Sequence, residues 1–313
     1  MERYALTVAL NAAVDTSYVF DGFTVGNIHT VAELQKVAGG KANNVARVLR
    51  VLKAPVVATG FAGGSAGVFI ENDLRANGIV SDYEPIPGES RTCLAMVDRV
   101  GHTLTEVREK GPAVPAAALE AFVGRFRRLL AGAGVVVMSG SLPPGVPPSI
   151  YGRLVAVARE AGVFAILDSS GAALKESLAA GPDVAKPNRD ELAAWAETHL
   201  PDVDAVIAAA RRMQAAGVGA VAVSLGKDGL LYVGHEGTWI ARPPAVHAVN
   251  TVGSGDSLVA GFSAGLLRGL ALPEALRLGV ACGTANALNA GIASPQPADI
   301  ERIHAEVAVT QLA

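Results

Sequence analysis

Short apolar, β-branched runs alternate with segments of helical periodicity over most of this chain. "YALTVAL" (Tyr4–Leu10), "PVVATGF", "GVVVMSG", "VFAILDSS", "DVAKPN" and "AVAVSLG" read as strands. Between them lie helical patterns. Val45, Val48, Leu49 and Leu52 share one face, "SAGVFIENDLRANG" stops at Gly78, and Pro148–Ala161 and Val203–Ala216 follow. Alternation of this kind builds βαβ units, hence an α/β fold with a mainly parallel central sheet and helices on both faces. The part after about Ser254 reads as two long helices. With 313 residues, half of them hydrophobic, the chain has ample material for one large core.

Two segments break the alternation. One contains "TSYVFDGF" and "IHTVAELQKV", the other "TCLAMVD" and "TLTEVRE". Both look like antiparallel strands that need a partner sheet. The expected division is a main α/β domain of residues 1–14, 38–85 and 111–313, with a small β lid inserted as 15–37 and 86–110. Surface hairpins without function are the plainer alternative.

Several classes of protein are disfavoured. The formal net charge of −3 gives no nucleic-acid surface and no polybasic membrane patch. No apolar run is long enough to span a bilayer, and "MERYALTVALNAAVD" has no signal-peptide pattern. Cys93 and Cys282 are isolated, as expected of a reduced, cytoplasmic protein. The six histidines have no ligand spacing.

In an open α/β sheet, ligands sit beyond the carboxyl ends of the strands. Here those ends carry Asn11 and Asp15, Ser139-Gly140-Ser141, Asp168-Ser169-Ser170, Lys186-Pro187-Asn188 with Glu191 one turn on, and Ser224-Leu225-Gly226 with Gly229 beyond. Turns and caps explain any one of these, but the clustering of charge and amide less well. Neither GxGxxG after a first strand nor GxxxxGK[ST] occurs, which disfavours a dinucleotide fold and a Walker-type loop. "NTVGSGDSLVAG" sets an acid, Asp256, at the mouth of the Gly253-Ser254-Gly255 loop that opens a helix. Such a loop suits an anion. Its aspartate is therefore a helix cap or a group with chemistry of its own.

These stretches, in this order, resemble the PfkB, or ribokinase-like, family of carbohydrate kinases over nearly the whole chain. "GGKANNVARVLRVL" with "VVATGFAGG" matches one family signature and "NTVGSGDSLVAGF" the other; "SGSLPPG", "DSSG", "KPNRDEL" and "VSLGKDG" fall between them. The likeness is greatest to the phosphosugar branch: 1-phosphofructokinase, tagatose-6-phosphate kinase and the minor 6-phosphofructokinase type. "GGKANN" departs from the usual "GGKGIN" at Ala42 and Asn43.

The resemblance implies a ribokinase-like fold whose β lid covers the sugar and often builds a homodimer. It makes Asp256 the general base, with Gly253, Ser254 and Gly255 as an anion hole. Asp15, Gly39, Gly40, Asn44 and Ser139 become acceptor contacts. Lys41 faces a sugar phosphate or solvent. Arg91 meets the acceptor's phosphate, unless it is an exposed strand arginine, and the second cation is Arg108 or Lys110. Lys186, Asn188, Ser224, Gly226, Gly229 and Asn286 would border ATP. Asn188 and Glu191 would organise Mg2+, although Glu191 also suits a plain first-turn acid. The carbonyls of Asn250 and Val252 are candidate K+ donors.

The expected activity is transfer of the γ-phosphate of ATP to a hydroxyl of fructose 1-phosphate, fructose 6-phosphate or tagatose 6-phosphate. The alternative is a kinase of an unphosphorylated sugar or nucleoside. A non-catalytic sugar binder has no need of Asp256, and an oxidoreductase lacks its fingerprint.

Overall fold

The structure, a computed structural model, describes residues 3–312. Strand β1 (Tyr4–Ala9) lies inside a ten-stranded sheet. Its neighbours are β4 (Val56–Ala62) and β8 (Ala133–Ser139), both parallel to it. Beyond β4 lies β5 (Val80–Pro85); beyond β8 follow β9 (Phe164–Asp168), β10 (Val184–Ala185) and β11 (Ala220–Ser224), all parallel. Antiparallel β12 (Leu230–Gly234), β13 (Gly237–Arg242) and β14 (Ala308–Leu312) extend that side.

A parallel sheet must be covered on both faces, and β1 shows how the residues divide. Ala5 and Ala9 belong to one core, Leu6 and Val8 to the other. Val135 and Val137 of β8 alternate with Val136 and Met138 in the same way. Along β1 the alternation is in size rather than polarity. On the small-residue face pack α1 (Lys41–Val51), α8 (Ser254–Leu267) and α9 (Leu272–Ala287), through Val45, Leu49, Val259 and Leu276. On the other face pack α3 (Ala116–Leu130), α4 (Ile150–Glu160) and α7 (Val203–Ala215), through Phe122, Leu154 and Met213. The remaining helices are α2 (Gly64–Ala76), α5 (Gly171–Lys175), α6 (Arg189–Ala196) and α10 (Pro297–Glu306).

Helices α8 and α9 touch through backbone. A Cβ on Gly261 would lie 2.6 Å from the Leu278 carbonyl, and one on Gly265 2.8 Å from Ala275 Cα. Glycine at these positions lets α8 sink into the core, so the base of the site is a rigid helix. The region after Ser254 holds three helices and strand β14, not two helices alone. The break falls at Asn289–Gln296, where Pro297 at the start of α10 begins a new helix.

A second, four-stranded sheet has the order β3-β2-β6-β7. It comprises β2 (Ala13–Phe20), β3 (Glu33–Gly39), β6 (Arg91–Asp98) and β7 (Thr103–Arg108). Each expected insertion supplies an antiparallel hairpin, but the two hairpins join through parallel pairing of β2 with β6. No helix of the described residues is long and apolar enough to cross a membrane.

Candidate active site

The carboxyl ends of β1, β8, β9, β10 and β11 open into a cavity of about 900 Å³ that the small sheet roofs. A second cavity, about 600 Å³, adjoins it and shares Asn188, Ser224 and Gly255 with it. The large one has Asp15, Asn44, Asp168, Lys186 and Asp256 in its wall. The second is lined by Gly226, Gly229, Pro243, Leu258, Val280 and other mostly apolar residues.

Asp256 stands in the first turn of α8, 6% exposed. Burial pushes its carboxyl up to about 6, with the Asp168 charge adding to the effect; Lys41, the Asn44 amide and Lys186 oppose it. Asn44 Nδ2 donates to Asp256 Oδ2 at 2.9 Å. The acid is thus held in one orientation with a pKa near the pH range where a base works best.

Beside it lies a cluster centred on Asp168, a strand-end residue to which the sequence assigns no role. Asp168, fully buried, is 3.4 Å from Lys41 Nζ and 3.3 Å from Lys186 Nζ. Ser139 Oγ donates to its other oxygen at 3.1 Å. Burial alone would push the Asp168 carboxyl up, but the two lysines and Ser139 carry it below the usual carboxylate range. Asp168, with Asp256 and Glu191 at longer range, keeps Lys41 well above its ordinary pKa against the effect of burial. Lys41 lines the large cavity. Lys186 Nζ lies 3.6 Å from where a Cβ on Gly255 would be.

The anion loop differs in detail from expectation. Gly253 caps α8 at φ 81°, ψ 0°, a left-handed conformation that favours glycine. The Ser254 N–H is turned inward to the Thr251 carbonyl at 3.1 Å. Helix geometry leaves the N–H groups of Gly255 and Asp256 for a ligand. Asn286 lies in the wall of neither cavity. It is fully buried, donates to the Val252 carbonyl and Ser254 Oγ, and accepts from Ser294 N–H. These contacts fasten the loop.

The roof carries Asp15, Cys93 and Arg108 on one register line of β2, β6 and β7, with Arg91 at the start of β6. A Cβ on Gly39 would fall 2.0 Å from Asp15 Cγ, so glycine makes room for that carboxylate. Burial pushes the Asp15 carboxyl up, with the Gly40 N–H, Arg47 and Arg91 opposing. Arg91 Nε donates to the Asn11 carbonyl at 3.1 Å. Arg108 lines the cavity and pairs with Glu106. Lys110 is absent from its wall and offers its carbonyl to Asn11 Nδ2.

Asn188 and Glu191 form a capping box at the start of α6, with Glu191 N–H on Asn188 Oδ1 at 2.7 Å and Asn188 N–H on Glu191 Oε2 at 2.8 Å. Both also line the large cavity, so the two readings of Glu191 are compatible. No group of three or more His, Cys, Asp and Glu that could hold a metal occurs among the described residues. A lone carboxylate and an amide oxygen suit Mg2+, which keeps several waters and leans on substrate phosphates.

Residues 8–299 match the pattern of the pfkB family carbohydrate kinases. The chain belongs to the PfkB family. As a PfkB protein it is an ATP-dependent carbohydrate kinase of ribokinase-like fold. It is 37% identical over 286 residues to the tagatose-6-phosphate kinase of Staphylococcus epidermidis, covering 90% of this chain and 92% of that one. It is 39% identical over 276 residues to the 1-phosphofructokinase of Rhodobacter capsulatus, covering 88% and 87%. Among PfkB structures, phosphofructokinase-2 of Escherichia coli in complex with potassium superposes with a TM-score of 0.92 at 30% identity, covering 98% of this chain and 99% of that one.

Proposed function

We propose that this chain transfers the γ-phosphate of ATP to a hydroxyl of a hexose monophosphate: tagatose 6-phosphate, fructose 1-phosphate or fructose 6-phosphate. The observation that carries this reading is a single cavity with Asp256 in its floor and Arg91 and Arg108 in its roof. A base alone suits any alcohol acceptor. Two arginines on the far side suit an acceptor that already bears a dianion, since guanidinium binds phosphate oxygens two at a time.

ATP would lie in the apolar second cavity, its phosphates reaching Gly255 and Lys186. Asp15 and Asn44 would hold the acceptor's hydroxyls. Asp256 takes the proton of the attacking hydroxyl as its oxygen bonds to the γ-phosphorus. The bond from that phosphorus to the β–γ bridging oxygen breaks, and ADP leaves. The N–H groups of Gly255 and Asp256, with Lys186 and Lys41, stabilise charge on the transferring group. Asn188 and Glu191 would hold Mg2+ through its waters, and that ion supplies further neutralisation of the phosphates. Potassium near the Asn250–Val252 turn belongs to the same reading; Asn250 Oδ1 accepts from Val252 N–H and braces the turn.

The lid sheet's outer face supports pairing of two copies. Its register aligns Leu34, Tyr18 and Met96, with Val107 nearby, and Leu34 is 54% exposed. Sedimentation of the purified protein tests this: a dimer is expected, and a monomer at micromolar concentration contradicts it.

The substrate test compares kcat/KM for the three sugar phosphates with free fructose and ribose, in wild type and Arg91→Ala. The arginine's contact is worth roughly 1.5–3 kcal/mol, so the KM of the preferred sugar phosphate should rise about tenfold to a hundredfold. The KM of ATP should stay unchanged. A wild type that prefers a free sugar, with Arg91→Ala no worse on any acceptor, overturns the phosphosugar reading.

A further inference from the structure

Arg47, on α1, lies within the GGKANNVAR stretch, but the proposed chemistry gives it no part. It is half-buried, and its contacts are specific. Nη1 donates to Asn44 Oδ1 at 3.1 Å, and Nη2 donates to the Ala38 carbonyl at 2.5 Å. Asn44 in turn donates its Nδ2 to Asp256. We propose that Arg47 is a positioning residue for phosphoryl transfer: it fixes the Asn44 side-chain amide so that its N–H, and not its oxygen, faces the Asp256 carboxylate. This rests on Asp256 being the base.

An asparagine side chain offers an oxygen at one end and two N–H groups at the other, and half a turn exchanges them. Beside a carboxylate, the wrong orientation brings two acceptors together. Arg47 is a pure donor and stays protonated, so it accepts only the amide's oxygen end. The choice made at Oδ1 sets what Nδ2 does 2.9 Å from Asp256. The second arm of the fork explains why an arginine stands here. Ala38 is the next-to-last residue of the lid strand β3, ahead of Gly39 and Gly40, and its N–H donates to Asp73 Oδ2 at 2.8 Å. Arg47 thus ties the end of the lid to the helix that carries Asn44. Burial pushes its guanidinium down, while Asp73, Asp15 and Asp256 pull it back up, so its charge is surrounded by the carboxylates of both halves of the site.

Deleting the fork predicts a defect in the reacting state. Asp256 faces Asn44 and Lys41 from α1, Asp168 from the end of β9 and Lys186 from beyond β10. Of these, Asn44 is the one whose orientation depends on Arg47. A donor on the carboxylate favours its charged form. Its loss, added to the loss of the Arg47 charge near Asp256, should raise the pKa of Asp256 and move the acid limb of kcat/KM to higher pH.

The experiment measures Arg47→Met, Asn44→Ala, the double variant and Arg47→Lys in the full chain, each checked for folding by circular dichroism and thermal melting. Arg47→Met should lower kcat about tenfold to a hundredfold with the KM of ATP within twofold of wild type. Its acid limb should rise by about one pH unit. In the Asn44→Ala background the same substitution should add less than about threefold, because the partner through which it acts is gone. Arg47→Lys keeps the cation but cannot bridge Asn44 and Ala38 together; it should fall between wild type and Arg47→Met, and it serves if Arg47→Met does not fold. Losses that multiply in the double variant, or an acid limb that stays in place, overturn the inference. Failure of the base assignment is separable: there Asp256→Asn itself would keep turnover, whereas an inactive Asp256→Asn beside an active Arg47→Met overturns only the role of Arg47.

Discussion

The Asn44 amide meets the Asp256 carboxylate at 2.9 Å, across 212 residues of sequence. One belongs to α1, the helix that follows the small sheet, the other to the first turn of α8. Their contact joins the two halves of the site at the atom where proton transfer is proposed.

Replacing Asp256 with Asn keeps the size and most hydrogen bonding, and Asn44 can still donate to it. The base is lost. kcat should fall by about 10²–10⁴, with ATP affinity little changed. Steady-state kinetics beside direct nucleotide binding checks this, and near-normal turnover would remove Asp256 from the chemistry.

The same variant should be more stable than wild type, and only at higher pH. Asp256 has a folded pKa of about 6, above the ordinary 3.8. A group raised in the folded state costs nothing below the ordinary value; the cost grows as pH rises from the ordinary value to the folded one and is complete above it. The gain should therefore be small near pH 4 and reach up to about 3 kcal/mol above pH 7. Melting curves of both proteins from pH 4 to 8 should diverge by a few degrees; parallel curves would mean that Asp256 is not buried as described.

Gly253 and Gly255 should respond differently to alanine. At Gly253, φ is 81° and a Cβ would lie 2.9 Å from the Ala293 nitrogen, so stability should fall by about 1–2 kcal/mol or more. At Gly255 a Cβ meets only Lys186 Nζ, at 3.6 Å. Gly255→Ala should melt like wild type yet lose turnover, because its methyl group occupies the phosphate's approach. Equal melting temperatures for the two variants contradict this.

Glu191→Gln separates the helix cap from the ion. Glutamine still accepts from Asn188 N–H and completes a capping box. Folding should be unaffected, while the Mg2+ concentration for half-maximal rate rises about tenfold. An unchanged magnesium titration would leave Glu191 as a cap alone.

Arg108 and Lys110, equivalent candidates by sequence position, differ in placement. Arg108→Ala should raise the KM of the sugar phosphate about tenfold, and Lys110→Ala should leave it within twofold. The reverse order would point to a rearranged roof.

Much of this was legible in the residues, for physical reasons. A buried strand between two helical layers is largely apolar, which is how β1 reads apart from Thr7. The turn that opens α8 needs glycine, an anion site needs N–H groups, and both show in "NTVGSGD". Edge strands were harder. β5, "VSDYEP", and β14, "AVTQL", mix polar and apolar residues because their sides meet solvent. Asp168 stood among the polar strand ends, but its hold on Lys41 and Lys186 depends on how three separate elements converge. Arg47 was hidden by its spacing. A cation three residues after an asparagine on a helix is unremarkable until the Ala38 carbonyl is found at its other arm. The inward turn of the Ser254 N–H leaves no trace in residue type at all.

β3 ends at Gly39 and α1 begins at Lys41, so the lid runs into the Asp256-side helix through a single residue, Gly40. Under the proposed function, acceptor selection and phosphoryl transfer are therefore not separable modules. A lid grafted from a relative to change the sugar would have to bring residues 38–47 with it as one piece. Cutting at the visible edge of the small sheet would exchange the roof and misalign the floor.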